Sequence, residues 1–512
     1  MVLSDPITTT PGDRYDEELI AHVHPENWSN PEPDGRYNLV VIGGGTAGLV
    51  SAAGAATLGA RVALIERNLM GGDCLNYGCV PSKGLIRSAR AAADISRAAE
   101  FGVHVGGDAT VDFTAVMERM RRLRSEIAPH DSVERLARLG VDVFLGHGRF
   151  HDKRSVVVAD ALLRFSKAVI ATGTHAIIPA VPGLEEAGCL TNESLFGLTE
   201  LPGRMAILGA GPVGCEMAQT FARFGSEVYL LEIEDRILPR EPANISSIVS
   251  ESLSADGVVI ATNAKATRVD TNGSGKSIEI EVDTDGESAI DEISVDEVVA
   301  SVGRSPNVDN LGLESAGVGY DLDEGIHTNG YLQTSNRRIY AAGDISSKWK
   351  FTHTADAQAA MVIHNSLFLR TKNCDSLVVP WCTYTDPEVA HVGRYPEKAA
   401  GKRKGADTYA ASLEDNDRAI LDGETNGLIE IYTQKGTDTI VGATMVGRNA
   451  GEIISELTLA IKSGTSLTQL ASVIHPYPAR AGIVRDAARE FMRSRLTPRL
   501  KRILNRWMAW RR

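Results

Sequence analysis

The chain has few cysteines, no long apolar run and no excess of positive charge. Six cysteines among 512 residues exclude a secreted disulfide scaffold. No segment approaches the ~18 consecutive apolar residues of a membrane-spanning helix, so no transmembrane span is expected. The net charge of −13 disfavours non-specific nucleic-acid binding by the body of the protein. Residues 1–36 are a polar extension with neither the basic segment nor the apolar segment of a signal peptide, and a cytoplasmic location is expected. Short repeats and low-complexity tracts are absent. The apolar fraction of 43% is ordinary for a soluble chain, and the length suits three or four domains at roughly 150 residues each.

What the chain does have is concentrated in residues 71–83, Gly-Gly-Asp-Cys-Leu-Asn-Tyr-Gly-Cys-Val-Pro-Ser-Lys. Cys74 and Cys79 sit in a glycine-rich turn that runs into a helix-forming stretch. In a reducing compartment a close cysteine pair is more often catalytic or metal-binding than structural. No second Cys/His pair stands at zinc spacing, so no metal site is expected. Cys189, Cys215, Cys374 and Cys382 are scattered and read as buried small hydrophobes.

Two nucleotide-binding units are visible. The apolar run 38–42 leads into Gly43-Gly44-Gly45-Thr46-Ala47-Gly48, a helix over 49–58 and a strand over 61–65 ending at Glu66. The run 205–208 leads into Gly209-Ala210-Gly211-Pro212-Val213-Gly214, a helix to Phe224 and a strand over 227–231 ending at Glu232. Glu66 and Glu232 each lie 23 positions beyond the first glycine of their unit. The first glycine makes the tight turn, the second admits a pyrophosphate to the backbone, and the third lets helix and strand pack closely. The phosphates then face a helix N-terminus, where free N–H groups favour anions, and the acidic residue accepts hydrogen bonds from a ribose. With the cysteine pair, these units indicate two-electron transfer among a nicotinamide, a flavin and a dithiol.

Between the units, residues 85–137 read as long polar-faced helices, followed by strands at 141–145, 155–158 and 168–171. Residues 258–300 alternate apolar and polar, as an antiparallel edge of the second unit would. From Val378 the pattern changes to strands around 379–393 and 427–447, then helices near 451–463 and 480–496, a separate α+β domain.

In order and spacing these motifs resemble the pyridine nucleotide–disulfide oxidoreductases, the family of dihydrolipoyl dehydrogenase, glutathione reductase and mercuric reductase. Further matches are Ala171-Thr172-Gly173-Thr174, Glu216 after the second glycine motif, Val302-Gly303-Arg304-Ser305-Pro306-Asn307, Tyr340-Ala341-Ala342-Gly343-Asp344 and residues 384–390. The resemblance implies an α/β protein with two Rossmann-like, three-layer domains for FAD and NAD(P) and a C-terminal α+β dimerisation domain. The expected boundaries are 37–190 with 305–375 for FAD, 191–304 for NAD(P), 376–490 for a homodimer interface, and 491–512 for a basic amphipathic helix. Gly43, Gly45, Gly48 and Glu66 would hold FAD, joined by Gly148, Thr172, Gly173, Asp344 and Thr352, with Lys83 near the flavin ring and paired with Glu216. Gly209, Gly211, Gly214, Glu232 and Gly303 would bind the nicotinamide cofactor. A carboxylate at Glu232 repels a 2′-phosphate, so NADH is expected over NADPH, although Arg236 and Arg240 stand nearby in sequence. By resemblance, NADH reduces the flavin, the flavin opens a Cys74–Cys79 disulfide, Cys79 contacts the flavin, and Cys74 meets the external acceptor. The helix start after Pro81 and the charge of Lys83 should favour the thiolate.

Dithiol members of the family carry a C-terminal His-Pro-Thr-x-x-Glu proton relay that reaches across the dimer. Here the segment reads His475-Pro476-Tyr477-Pro478-Ala479-Arg480-Ala481-Gly482. Matching His-Pro makes His475 the base. Matching the helix that follows puts Tyr477 there, with Gly482 in place of Glu, and this register is preferred. A phenol of pKa ~10 shuttles protons poorly at neutral pH, which disfavours lipoamide-like substrates and favours a soft metal ion or a quinone. The chain is closest to mercuric reductase-like members, yet no cysteine follows Cys382, so the C-terminal cysteine pair of those enzymes is missing. The acceptor is therefore a small molecule, small dithiol or metal ion. Dihydrolipoyl dehydrogenase is the first alternative, and a flavin-only diaphorase, transhydrogenase or redox-sensing flavoprotein the second.

In the tail, Leu500, Ile503, Leu504, Trp507 and Met508 fall on one helical face, and Arg499, Lys501, Arg502, Arg506, Arg511 and Arg512 cover much of the rest. Such a helix packs on its own dimer, makes peripheral contact with an anionic membrane, or binds a protein partner.

Overall fold

The computed structural model describes residues 9–106, 110–273, 275–284, 287–396 and 405–512; the first eight residues of the polar extension lie outside them. The chain forms two compact units, residues 1–235 with 256–377, and residues 236–255 with 378–512.

In the first unit, strands Val141–Leu145, Val62–Glu66, Arg36–Ile42 and Ala161–Ile170 lie side by side in parallel. Ile339–Ala341 also pairs in parallel with Ala161–Ile170, while Ser155–Val158 and Gly148–Asp152 add an antiparallel extension. Residues 39–42 and 62–65 are apolar and buried without a break because both sheet faces are covered. Alternate residues serve opposite cores. Leu39, Val41, Leu64 and Val143 pack into one cluster, whereas Val40, Ile42, Ala63, Ile65 and Phe144 pack into the other. That alternation is the three-layer arrangement expected from sequence.

A second parallel sheet has the order Val258–Ala261, Glu227–Leu231, Arg204–Leu208, Glu297–Ala300. Antiparallel pairing within 258–300 is confined to Ala264–Asn272, Gly275–Thr284 and Glu287–Val295. The flanking strands join the parallel sheet because long connections permit parallel pairing, whereas strands a few residues apart pair antiparallel.

The polar extension is part of this unit. Helix Arg14–Val23 starts at Asp13, whose carboxylate accepts the N–H groups of Tyr15 and Asp16. Leu19 and Val23 are fully buried in the core cluster that holds Leu39 and Leu64. Trp28 donates to the Val143 carbonyl, and Asn30 brackets Leu145 through both backbone groups, so the extension covers the exposed edge strand Val141–Leu145.

The second unit is α+β. Its sheet is antiparallel throughout, in the order Pro380–Thr383, Glu388–Gly393, Ile440–Gly447, Leu428–Gln434, Ala406–Ser412. Helices Ala450–Ser463 and Gly482–Ser494 pack into its core. Ala406–Ser412 shows no clean alternation in sequence and forms by pairing onto the edge of Leu428–Gln434. Residues 236–255 group with this unit. The reason is the carboxylate of Glu241, 6% exposed, which accepts from Trp381 Nε1 at 3.1 Å and from the Tyr395 hydroxyl at 2.8 Å. The expected helix over 491–512 is also divided. Phe491 is buried at the end of Gly482–Ser494, and a new helix, Pro498–Trp510, begins after the N-cap Thr497.

Candidate active site

Both glycine motifs adopt one geometry. Gly43 and Gly209 have φ of +108° and +98°, a region that favours glycine. A Cβ on Gly48 would lie 1.7 Å from the Gly43 carbonyl oxygen, and one on Gly214 would lie 2.0 Å from that of Gly209. The middle glycines are different: Gly211 has no atom within 4 Å of its Cβ position, and Gly45 only the Gly72 Cα at 3.7 Å. Space therefore exists at the glycine expected to face a pyrophosphate. Helices Thr46–Thr57 and Pro212–Phe224 start here with no side-chain cap, leaving N–H groups for an anion.

Each acidic residue is held by its own motif. Glu66 accepts from Gly44 N at 2.5 Å and Asn68 N at 2.7 Å, and Glu232 accepts from Ala210 N at 2.6 Å and Glu234 N at 3.1 Å. Burial raises the pKa of Glu66, and these N–H groups oppose the shift. An open cleft is lined by Gly43, Glu66, Arg67, Gly148, Thr172 and Asp309. Thr172 Oγ1 donates to the Asn307 carbonyl at 2.9 Å, and Asn307 returns Nδ2–H to the Thr172 carbonyl at 2.8 Å, fixing the turn that contains Gly173. These groups fit a dinucleotide with a pyrophosphate at the glycine turn. Asp344 is half-buried and accepts from Thr174 Oγ1 at 3.4 Å; burial raises its pKa. Gly303 accepts the Ile177 N–H at 3.0 Å beside the second parallel sheet.

Cys74 lies in the short helix Gly72–Asn76, and Cys79 is the first residue of helix Cys79–Ser96. Both are free thiols; Cys79 is exposed and Cys74 half-buried. The two are hydrogen-bonded partners whose pKa values move apart. The Cys74 thiol holds Cys79 down, aided by Thr352 and Lys83 against burial, while Cys74 is raised by its hydrogen bond to Cys79 and by burial. Thr352 Oγ1, at the start of helix Thr352–Leu367, is 3.4 Å from Cys79 Sγ. Lys83 stands one turn after Cys79 and donates to Glu216 Oε2 at 2.7 Å, and Glu216 is 5% exposed. The helix N-terminus adds to the preference for a thiolate at Cys79.

His475 and Tyr477 lie in the second unit. His475 Nε2 donates to Glu456 Oε2 at 3.0 Å, and its Nδ1 is buried with no partner among the described residues. Tyr477 is 82% exposed and donates its hydroxyl to Asp417 Oδ2 at 3.0 Å, which raises the phenol pKa. Arg480 anchors the segment through Asp422 at 2.6 Å, Asn449 at 3.0 Å and Glu424.

Sequence reasoning missed several residues that hold the cysteine loop. Asn192 Nδ2 donates to Asp73 Oδ1 at 2.8 Å and to the Tyr77 carbonyl at 3.0 Å. Arg304 pairs with Asp73 and with Thr174. Arg124 donates to the Asn76 carbonyl at 2.9 Å and pairs with Asp16 at 2.5 Å. The one available signal was Asp73 itself, an acidic residue beside a cysteine expected to react.

Comparison with known proteins agrees with this geometry. Residues 37–359 match the family model described as pyridine nucleotide-disulphide oxidoreductase, and residues 379–488 match that of its dimerisation domain. The chain is 34% identical over 469 residues to a mercuric reductase of Staphylococcus aureus, covering 91% of this chain and 84% of that protein. It is 34% identical over 461 residues to a dihydrolipoyl dehydrogenase of Bacillus subtilis (strain 168), covering 88% and 95%. Among solved structures, the HOCl-induced flavoprotein disulfide reductase RclA from Escherichia coli matches with a TM-score of 0.78 at 27% identity, over 88% of this chain and 99% of that one. Its Cu(II) complex matches with a TM-score of 0.78 at 26% identity, over 89% and 99%.

Proposed function

The chain belongs to the pyridine nucleotide-disulphide oxidoreductase family, and on that premise we propose that it takes electrons from NADH and delivers them through Cys79 and Cys74 to a soft metal ion. It is an FAD-dependent NAD(P)H:disulfide oxidoreductase of the mercuric reductase-like type, and its dimerisation domain makes it a homodimer. Disulfides and quinones are the other acceptor classes. One observation carries the reading: two thiols in one turn, with Cys79 at a helix N-terminus, its sulfur 3.4 Å from Thr352 Oγ1, and Lys83 one turn further on.

Bound FAD supplies the two-electron relay between nicotinamide and sulfur. The protein does the rest. Cleavage of the Cys74–Cys79 bond by two electrons and one proton leaves a thiolate on Cys79 and a thiol on Cys74. Lys83 and Thr352 stabilise the thiolate, and Glu216 holds the Lys83 ammonium in place. Return of the two electrons to the acceptor re-forms the bond and releases the proton. Lys83 also serves the flavin site, with the first glycine motif, Glu66, Gly148, Thr172, Gly173, Asp344 and Thr352 around the nucleotide.

Glu232, with Gly209, Gly211, Gly214 and Gly303, receives the nicotinamide cofactor. Its carboxylate repels a 2′-phosphate, so NADH is preferred. Tyr477, not His475, is the group presented to the interchange thiol of the partner subunit. Tyr477 is exposed, whereas both nitrogens of His475 are turned to the interior or to Glu456. A phenol raised further by Asp417 is a poor proton shuttle at neutral pH, whereas a soft cation displaces the Cys74 proton as it binds sulfur and leaves no departing sulfur to be protonated.

Anaerobic titration of the FAD-loaded protein with NADH tests the reading. Long-wavelength thiolate–flavin absorbance after two electrons, followed by faster turnover with Hg(II) than with lipoamide, is the expected result. Flavin bleaching without that absorbance would overturn the dithiol reading. Faster lipoamide reduction would overturn the acceptor class and restore dihydrolipoyl dehydrogenase.

The tail helix supports peripheral contact with an anionic membrane. All residues of Pro498–Trp510 are exposed, and Trp507 and Trp510 lie with ring centroids 5.3 Å apart. Residues 498–512 hold six Arg or Lys and no acidic residue, in a chain of net charge −13. A basic helix with an apolar tryptophan face suits an anionic lipid surface. Flotation with phosphatidylserine vesicles, lost on removal of residues 498–512, is expected. Equal binding to phosphatidylcholine vesicles, or none to either, would reject it.

A further inference from the structure

Asp73 immediately precedes Cys74, and its Oδ2 lies 3.3 Å from the Cβ position of Gly78, the residue before Cys79, so its charge opposes a thiolate there. A redox loop with an unscreened carboxylate would work against its own chemistry. The structure surrounds that carboxylate instead. Asp73 Oδ2 is 3.2 Å from Arg304 Nη2, and Asp73 Oδ1 accepts from Asn192 Nδ2 at 2.8 Å. Arg304 Nη1 donates to Asn192 Oδ1 at 3.3 Å, so the three side chains close a ring.

The ring grips the loop at two points. The second hydrogen of the Asn192 amide goes to the Tyr77 carbonyl, between the two cysteines. Tyr77 N donates back to the Asp73 carbonyl at 2.8 Å, closing the turn. Asn192 itself is set on a short helix with a Thr191–Ser194 capping box.

Arg304 is anchored on its far side. Its Nε donates to Thr174 Oγ1 at 2.8 Å and its Nη2 to the Thr174 carbonyl at 3.0 Å. Thr174 in turn reaches Asp344, and Lys350 donates to the Arg304 carbonyl at 2.8 Å. A planar five-donor fork can serve Asp73, Asn192 and Thr174 at once; a lysine cannot. The guanidinium therefore ties the redox loop to the turn beside the flavin-facing aspartate.

We propose that Asp73, Asn192 and Arg304 form a positioning clamp that sets the geometry of the Cys74–Cys79 loop and cancels the charge of Asp73 against the Cys79 thiolate. None of the three touches the reacting atoms. The inference rests on the dithiol reading above, and its test is arranged so that the two can fail separately.

The test uses FAD-loaded protein in a Cys74→Ser background, where Cys79 is the remaining thiol of the pair. The pKa of Cys79 is read from the pH dependence of thiolate–flavin absorbance and, independently, of iodoacetamide alkylation of the Cys79 peptide. Arg304→Met should raise that pKa by roughly one unit, because it leaves Asp73 unscreened. Asp73→Asn should move it down. The Asp73→Asn/Arg304→Met double variant should return to within about half a unit of the parent, the non-additivity expected of a charge pair. Arg304→Lys should keep the pKa near the parent value while losing the fork. If Arg304→Met fails to bind FAD, Asp73→Asn and Arg304→Lys still decide the matter. A Cys79 pKa unmoved by Asp73→Asn, or strictly additive effects, would overturn the clamp while leaving the dithiol reading intact. Absence of thiolate–flavin absorbance in the parent at every pH would remove the dithiol reading itself.

Discussion

The ion pair between Asp16 and Arg124 offers the sharpest test of how the N-terminal extension contributes. Asp16 is fully buried, and the Arg124 side chain is 3% exposed. The pair joins helix Arg14–Val23 to helix Phe113–Ile127, and Arg124 Nη1 continues to the Asn76 carbonyl in the loop between the cysteines. Asn76 is itself fully buried and ties Met70 and Gly72 through its amide. Asp16→Asn keeps the shape and removes the charge. Arg124 is then left in the interior without its counter-ion, a change that typically costs about 3–5 kcal/mol. An exposed ion pair would cost about 0–1 kcal/mol. At roughly 1.3 °C per kcal/mol for a unit of this size, the first thermal transition should fall by roughly 4–7 °C. The assay is thermal unfolding of the FAD-loaded protein, followed by flavin fluorescence on release and by near-ultraviolet circular dichroism. An Asp16→Leu/Arg124→Met pair should cost less than either single change, because no uncompensated charge remains. A loss below about 1 kcal/mol for Asp16→Asn refutes the reasoning, since the pair would then behave as a surface contact.

The two glycine motifs should separate cleanly. Gly48→Ala, whose Cβ would collide with the Gly43 carbonyl, should yield colourless protein without FAD; Gly214→Ala should retain FAD and raise the KM for NADH at least tenfold. Retention of FAD by Gly48→Ala would contradict the first assignment. Tyr477→Phe should leave the anaerobic reduction by NADH unchanged and slow turnover with the acceptor, whereas His475→Gln should affect stability rather than acceptor turnover; the reverse pattern would make His475 the relay. His391 is buried between Trp381 and Tyr395, and burial pushes its pKa down to about 3, against ~6.5 in an unfolded chain. The unfolded chain then binds the proton first, so this stability is complete above about pH 6.5 and is lost as pH falls towards 3. Urea unfolding of His391→Phe should show a flatter acid dependence than the parent, and an unchanged slope would exclude His391 as the cause.

Much of the site was legible because its constraints are local. A tight turn before a helix needs glycine at Gly43 and Gly209, and close helix–strand packing needs it at Gly48 and Gly214, so motif spacing alone located both turns. The strand Ala406–Ser412 escaped because its half-polar sequence forms a strand only by pairing with Leu428–Gln434. Residues 236–255 carry no local sign of their partners, because Glu241 is satisfied by Trp381 and Tyr395, more than a hundred residues away. The extension's polar composition gave no sign of its buried face, and Asp13 and Asp16 gave no hint of the arginines that bury with them.

The choice between His475 and Tyr477 shows where local reading ends. Two alignments of one segment were compatible with the sequence. What separates the side chains is that Glu456 captures the His475 ring while Tyr477 stays exposed on Asp417, and neither partner is adjacent in the chain. The sequence by itself determined the family, the two glycine turns and the close cysteine pair proposed to react, because turn geometry and covalent spacing are written within a few residues. The tertiary structure alone decided how the cysteine loop is held, through Asn192, Arg304, Arg124 and Asp16. A charge is stabilised or exposed by what lies within a few ångströms of it in space, and folding brings those neighbours from anywhere in the chain.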